Sequence, residues 1–178
     1  MTLQAELLKT LKDYPDFPKP GIIFKDICPL LADAALFKKV IQNFAENVRA
    51  TGADKIVGIE SRGFLFGVPL AQELGLPFVP ARKKGKLPGK VVSQSYALEY
   101  GEDQIEMQAE TLTAGSKFYV IDDVVATGGT AAAVGQLIQK QNATVAGYGF
   151  LIELSFLNSA PKLKNLSPKA QIHSILIL

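Results

Sequence analysis

Leucines recur at helical spacing at the start of the chain (Leu3, Leu7, Leu8, Leu11), interrupted by Glu6, Lys9 and Lys12, and this pattern predicts an amphipathic helix over Met1 to Lys12. Pro15, Pro18, Pro20 and Gly21 then forbid continuous helix, so Tyr14 to Gly21 reads as a loop with a short strand. Asp33 stands where a helix N-cap belongs. Phe37, Val40, Ile41, Phe44 and Val48 follow on one face, so a helix is expected to run to about Arg49 and to pack on a sheet. Lys55 to Ile59 is a short apolar run closed by Glu60-Ser61-Arg62-Gly63. Helical spacing resumes over Phe64 to Leu74 up to Gly75, and Pro77 to Pro80 reads as a second short strand.

Ala81 to Gln108 breaks this rhythm. It is first basic and rich in glycine and proline, then polar with β-branched and aromatic residues, the pattern of a long hairpin of the kind that serves as a lid. Alternation returns with a strand over Phe118 to Ile121, a glycine-rich turn, a helix to about Gln141 and a strand over Val145 to Leu151. The last residues, Ile172 to Leu178, alternate weakly and read as an edge strand or a segment packed along one. Strands alternating with helices imply an α/β fold with a mostly parallel sheet covered on both faces. In such sheets ligands sit beyond the carboxyl ends of the strands, which directs attention to the loops starting at Glu60, Asp122 and Glu153.

Composition narrows the function classes. A chain of 178 residues, 48% hydrophobic, suits a single domain over 1–178. A formal charge of +2 is too small for a nucleic-acid or membrane footprint by bulk electrostatics, so any anion site must be local. The single cysteine, Cys28, excludes an intramolecular disulfide, there is no Cys/His cluster for a structural zinc, and a reducing cytoplasm fits best. No apolar stretch approaches the roughly 20 residues of a membrane span.

The run Val120 to Thr130, V-I-D-D-V-V-A-T-G-G-T, carries chemistry. Ala126, Thr127, Gly128, Gly129 and Thr130 can aim successive backbone N–H groups and two hydroxyls at one anion, with the dipole of the following helix behind them. Asp122 and Asp123 would repel a phosphate, so they serve ribose hydroxyls or hold Mg2+ through water. A lone Gly-Gly at this place also fits a plain strand-to-helix turn. With its paired acids the run resembles the 5-phosphoribosyl-1-diphosphate motif of the type I phosphoribosyltransferases. Four further segments resemble the adenine-specific branch of that family, in its order and spacing: Asp16 to Ile27, Ser61 to Gly67, Arg82 to Gly89, and Tyr96 to Gly101. Together they span most of the chain from about Asp16 to Leu154.

The resemblance implies the type I fold, with a hood from about 14–30 and a flexible lid hairpin over 81–108, and it implies a homodimer. The implied reaction joins adenine to 5-phosphoribosyl-1-diphosphate (PRPP) to give AMP and diphosphate, with Mg2+ held mainly by PRPP. Asp122 and Asp123 would face the ribose hydroxyls, and Ala126 to Thr130 would cradle the 5′-phosphate. Ser61 and Arg62 would bind the leaving diphosphate, with a non-proline cis peptide nearby; by itself Arg62 also fits a salt-bridged rim residue. Arg82, Lys83 and Lys86 would lend charge to the diphosphate, although a basic run is also an ordinary solvated loop. Glu99, on the lid with Tyr100, would be the general acid/base, where an exposed glutamate is otherwise merely solvated. Phe24 and Leu154 would wall the adenine, or else be ordinary core, and the backbone of Ile23 and Lys25 would bond its edge. Lys25 departs from the arginine usual in the family; a backbone contact survives that change and a guanidinium contact does not. His173 and Cys28 read as structural.

Two rivals remain at this stage. A transferase for another purine would need donors where adenine needs acceptors. A non-catalytic PRPP sensor controlling nucleic-acid binding would need an added domain or a broad basic face, and neither is visible.

Overall fold

The computed structural model describes residues 1–97 and 102–178. They divide into two compact units, 1–43 and 44–178, the boundary falling inside a helix.

In the first unit, α1 (Leu3–Thr10) is capped by Thr2, whose hydroxyl accepts from the Ala5 N–H at 3.3 Å. It stops short of Lys12 because Lys12 already belongs to β1 (Lys12–Pro15), which pairs antiparallel with β2 (Ile23–Asp26). The segment expected to contain one short strand is therefore mostly the loop of a hairpin, closed where Asp16 Oδ1 accepts from the Gly21 N–H at 2.8 Å. A five-residue helix, α2 (Cys28–Ala32), was not legible, since one turn and a half shows no periodicity. Asp33 then caps α3 (Ala34–Thr51) as expected, its Oδ1 accepting from the Ala35 and Leu36 N–H groups at 3.1 and 3.0 Å.

The second unit takes in the carboxyl-terminal half of α3 and then β3 (Lys55–Ile59), α4 (Gly63–Leu74), β4 (Phe78–Lys83), β5 (Val91–Ala97), β6 (Glu102–Gln108), β7 (Lys117–Val125), α5 (Gly129–Lys140), β8 (Thr144–Glu153), α6 (Ala160–Leu166) and β9 (Gln171–Ile177). Its sheet of seven described strands has the order β5-β6-β4-β3-β7-β8-β9. The pairs from β4 through β3, β7 and β8 to β9 are parallel, and β5 and β6 are antiparallel. The mostly parallel α/β architecture and the carboxyl-terminal edge strand agree with the sequence reading; α6 was not foreseen. No helix of the described residues is long and apolar enough to cross a membrane.

Both faces of the sheet are covered. Val57, Val79, Phe118, Val120 and Phe150 are buried in one cluster with Val134, Leu137 and Ile138 of α5. On the opposite face Phe44 of α3 meets Phe66 of α4 and His173 of β9 edge-on, at centroid distances of 6.3 and 6.0 Å. Tyr119 on that face is fully buried, and its hydroxyl donates to Asn47 Oδ1 at 2.8 Å, tying α3 to the central strand. This bond predicts an order of stabilities. Tyr119→Phe removes a donor from a half-exposed Asn47 that water can serve, and should cost about 0.5–1.5 kcal/mol; Asn47→Ala orphans a buried hydroxyl and should cost about 1–3 kcal/mol. Urea denaturation of both variants checks this, and a larger loss in Tyr119→Phe contradicts it.

Candidate functional site

The chain leaves β3 through α4 to β4 on one side and leaves β7 through α5 to β8 on the other, although β3 and β7 are neighbours. Their two outgoing loops part and open a crevice at the carboxyl end of the sheet, the position where α/β proteins bind ligands. The sequence placed the end of the central strand at Ile121. β7 instead runs on to Val125, because β8 still pairs with it there (Asp122↔Phe150, Val125↔Glu153) after β3 has ended against Ile121. The acids therefore stand on a strand supported along one edge and open along the other.

Beyond Val125 the backbone turns through Gly128, at φ 74°, into α5. A Cβ at Gly128 would lie 3.1 Å from that of Ser159, so both the left-handed backbone and the close approach require glycine. Because the cap is glycine, no side chain accepts from the first N–H groups of α5, and the first turn holds no acid. Those donors face a cavity of about 120 Å³ lined by Asp122 and residues 124–131 with Phe150. A helix N-terminus of this kind can hold an anion.

On the other side of the crevice the Glu60–Ser61 peptide is cis, as the resemblance implies. Gly63 packs directly on β7: a Cβ there would lie 2.8 Å from the Ile121 carbonyl oxygen. That contact brings Arg62 to the acids, with Nε 2.8 Å from Asp123 Oδ2. The N–H is not aligned for a hydrogen bond, and buried Asp123 Oδ2 has no hydrogen-bond donor among the described residues. Asp122 Oδ1 accepts from the Asp123 N–H at 2.9 Å. Burial, and then the neighbouring Asp123 charge, hold the Asp122 carboxyl well above its ordinary range.

Arg82 is at the same crevice but engaged. Its Nη2 and Nε donate to Glu60 at 2.9 and 3.3 Å, and its Nη1 to the Lys86 carbonyl at 3.0 Å. Glu60 also accepts from the Lys83 N–H at 2.8 Å. Lys83 Nζ is 2.7 Å from Asp103 Oδ2, and Ser61 and Lys86 are exposed. Leu154 is half-buried, its N–H bonded to the Val125 carbonyl at 3.0 Å.

Within the first unit, Phe24 meets Phe17 edge-on at 5.2 Å, and these rings with Tyr14 and Asp26 border a cavity of about 290 Å³. Ile23 is 60% exposed, and the ammonium of Lys25 is held by Asp13 at 2.6 Å. Glu99 and Tyr100 lie outside the described residues. Three residues near the site were not singled out from sequence: Ser159, Tyr96 and Asp103. Ser159 precedes a helix too short to read, and the cross-strand pairing of Tyr96 with Asp103 depends on a hairpin register that local pattern does not encode.

A model of the phosphoribosyl transferase domain matches residues 30–166. The adenine phosphoribosyltransferase of Synechococcus sp. (strain JA-3-3Ab) is 52% identical over 164 residues, 92% of each chain. The crystal structure of adenine phosphoribosyltransferase from Thermoanaerobacter pseudethanolicus superposes with a TM-score of 0.93 at 41% identity, covering 99% of this chain and 100% of that one. The enzyme of that name from Saccharomyces cerevisiae, complexed with an imino-altritol bisphosphate and adenine, gives 0.90 at 42% identity, covering 97% and 98%.

Arg82's hydrogen bonds, opposed by burial and helped by the Lys83 N–H, hold the Glu60 carboxyl below its usual range. A depressed carboxylate stabilises the fold at pH values above its unfolded pKa of about 4.3, and that contribution fades as pH falls through the lower folded value. Glu60→Gln should therefore lower stability by about 1–3 kcal/mol at pH 7, with the gap to the parent closing below about pH 4. Denaturant titrations across pH test this; a gap that widens with acid contradicts it.

Proposed function

The chain belongs to the phosphoribosyl transferase family, and from that premise we propose that it joins adenine to PRPP, forming AMP and diphosphate in purine salvage. The observation that carries this reading is the juxtaposition of a glycine-capped helix N-terminus with the Asp122-Asp123 pair and Arg62, all at one switch point. An anion cradle beside two carboxylates suits a ligand that is a phosphate at one end and a polyol next to it, which describes a ribose 5-phosphate.

In this reading Ala126 to Thr130 hold the 5′-phosphate, and Asp122 and Asp123 accept from the 2′ and 3′ hydroxyls. Ser61 and Arg62 receive the diphosphate. The bond from the anomeric carbon to the diphosphate oxygen breaks, adenine N9 bonds to that carbon, and the N9 proton passes to a base, for which Glu99, on the same segment as Tyr100, is proposed. Positioning and charge neutralisation at the leaving group supply most of the rate. Lys83 and Lys86 add positive potential, and Arg82 does so directly only if it exchanges Glu60 for the diphosphate.

For the base, Phe24 and Leu154 are proposed as apolar walls, and the backbone of Ile23 and Lys25 as its polar edge. The two units are proposed to act as one domain, 1–178, with hood 14–30 and lid 81–108, in a cytoplasmic homodimer. Among the described residues no group of three or more Asp, Glu, His or Cys could cage a metal. Adjacent carboxylates with an orphaned Asp123 oxygen suit an ion held mainly by substrate oxygens and water, as Mg2+ is. When bound, Mg2+ would neutralise charge on the departing diphosphate.

The test is nucleotide formation from labelled adenine, hypoxanthine or guanine with PRPP and Mg2+, with EDTA as control. AMP from adenine alone, abolished by EDTA, is expected; IMP or GMP as the main product would transfer the assignment to another purine. Arg62→Ala and Asp123→Asn should each lower kcat/KM by about 10²- to 10³-fold with the fold retained. Lys25→Arg, which keeps the charge facing Asp13, should change the adenine KM by no more than about fivefold; a larger change would assign the ammonium a direct role.

A further inference from the structure

β3 and β4 run parallel, with Ile59 opposite Ala81, and one residue further on the Glu60 N–H donates to the Ala81 carbonyl at 2.9 Å. That bond sets the Glu60 side chain, only 15% exposed, beside the guanidinium of Arg82. Glu60 Oε1 accepts from Arg82 Nη2 at 2.9 Å, and Oε2 accepts from Arg82 Nε at 3.3 Å and from the Lys83 N–H at 2.8 Å. The other end of the guanidinium, Nη1, donates to the Lys86 carbonyl at 3.0 Å. The turn between is closed by the Lys86 N–H on the Lys83 carbonyl at 3.2 Å and by the buried Glu106, which accepts from the Gly85 N–H at 2.9 Å. One carboxylate thus ties the residue before Ser61 and Arg62 to the whole basic turn 82–86.

Electrostatics alone does not account for an acid here. Its charge subtracts from the positive potential that Arg62, Lys83 and Lys86 would offer an anion. What Glu60 adds is geometry. Its two oxygens receive three donors, which requires the ionised acid, and the Arg82 hydrogen bonds keep it ionised by holding its carboxyl below the usual range. A basic turn without such a tie would have to be ordered by its ligand, and each long side chain immobilised at that moment weakens binding.

We infer that Glu60 is a positioning residue for the departing diphosphate: acting through Arg82, it holds the basic turn 82–86 in place relative to the Ser61–Arg62 loop, so that both sides of the diphosphate site are set before the ligand arrives. The inference rests on the reading of Ser61 and Arg62 as the diphosphate-binding loop. Arg82 is then the brace, and Lys83 and Lys86 are the charges that the brace places.

Calorimetric titration of the full chain with diphosphate and Mg2+, and separately with AMP, tests it. Glu60→Gln keeps the size of the side chain but turns an amide NH2 toward at least one of the three donors. It should weaken diphosphate binding by about three- to tenfold while leaving AMP binding unchanged. Arg82→Lys keeps the positive charge and loses the fork, and should produce the same selective loss. The double variant should bind no more weakly than either single one, because both substitutions remove one brace. Unchanged or tighter diphosphate binding in Glu60→Gln would leave Glu60 no more than a screen for the neighbouring cations. Equal losses for diphosphate and AMP would make it a general support of the fold, and additive losses in the double variant would give Arg82 an independent contact; each of these results overturns the inference. Diphosphate binding unchanged by Arg62→Ala would instead remove the diphosphate-loop reading on which it rests.

Discussion

The site exists because β7 outlasts β3. In a parallel sheet every strand delivers its carboxyl end to the same side, and a functional crevice needs two neighbours whose exits diverge. Here β3 stops at Ile59 while β7, held by β8, continues to Val125. That overhang turns a buried strand into a shelf. It carries Asp122 and Asp123 beyond the reach of β3, leaves the edge facing Arg62 open, and feeds directly into the glycine-capped start of α5. The absence of a side chain at Gly63 completes the arrangement by letting the opposing loop rest on the shelf.

Charge is distributed accordingly. The net charge of +2 conceals a concentration of ionic groups in the crevice, matched pair by pair: Arg62 with Asp123, Arg82 with Glu60, Lys83 with Asp103. Pairing keeps partly buried cations from repelling one another when no anion is near, and it holds side chains in place. The pairs differ in kind. Arg82 forms a two-pronged contact reinforced by the Lys83 N–H, which makes it a structural brace, whereas Arg62 Nε lies 2.8 Å from Asp123 Oδ2, a buried oxygen with no hydrogen-bond donor among the described residues.

Much of this was legible in the sequence, for identifiable reasons. Long amphipathic helices and apolar strands declare themselves by period, so α3, α4, α5, β3, β8 and the capping Asp33 fell where expected. The glycine-rich turn into α5 declared itself because only small residues permit that backbone. What escaped was short or non-local. α2 and α6 have too few turns for periodicity, and β1 and β2 are visible only once their hairpin register is known. The continuation of β7 past Ile121 was missed because acids normally mark the end of a buried strand, and here β8 overrides that preference. For the same reason Arg82 looked like a free cation in sequence, since its partner Glu60 is far away along the chain and adjacent only in the sheet.

The most direct test of the account is a crystal structure of the protein with AMP and diphosphate. The 5′-phosphate oxygens are expected within hydrogen-bonding distance of the backbone N–H groups of 127–130, the ribose hydroxyls on Asp122 and Asp123, and the diphosphate against Ser61 and Arg62. A phosphate bound elsewhere, with the α5 N-terminus contacting no ligand, would contradict it.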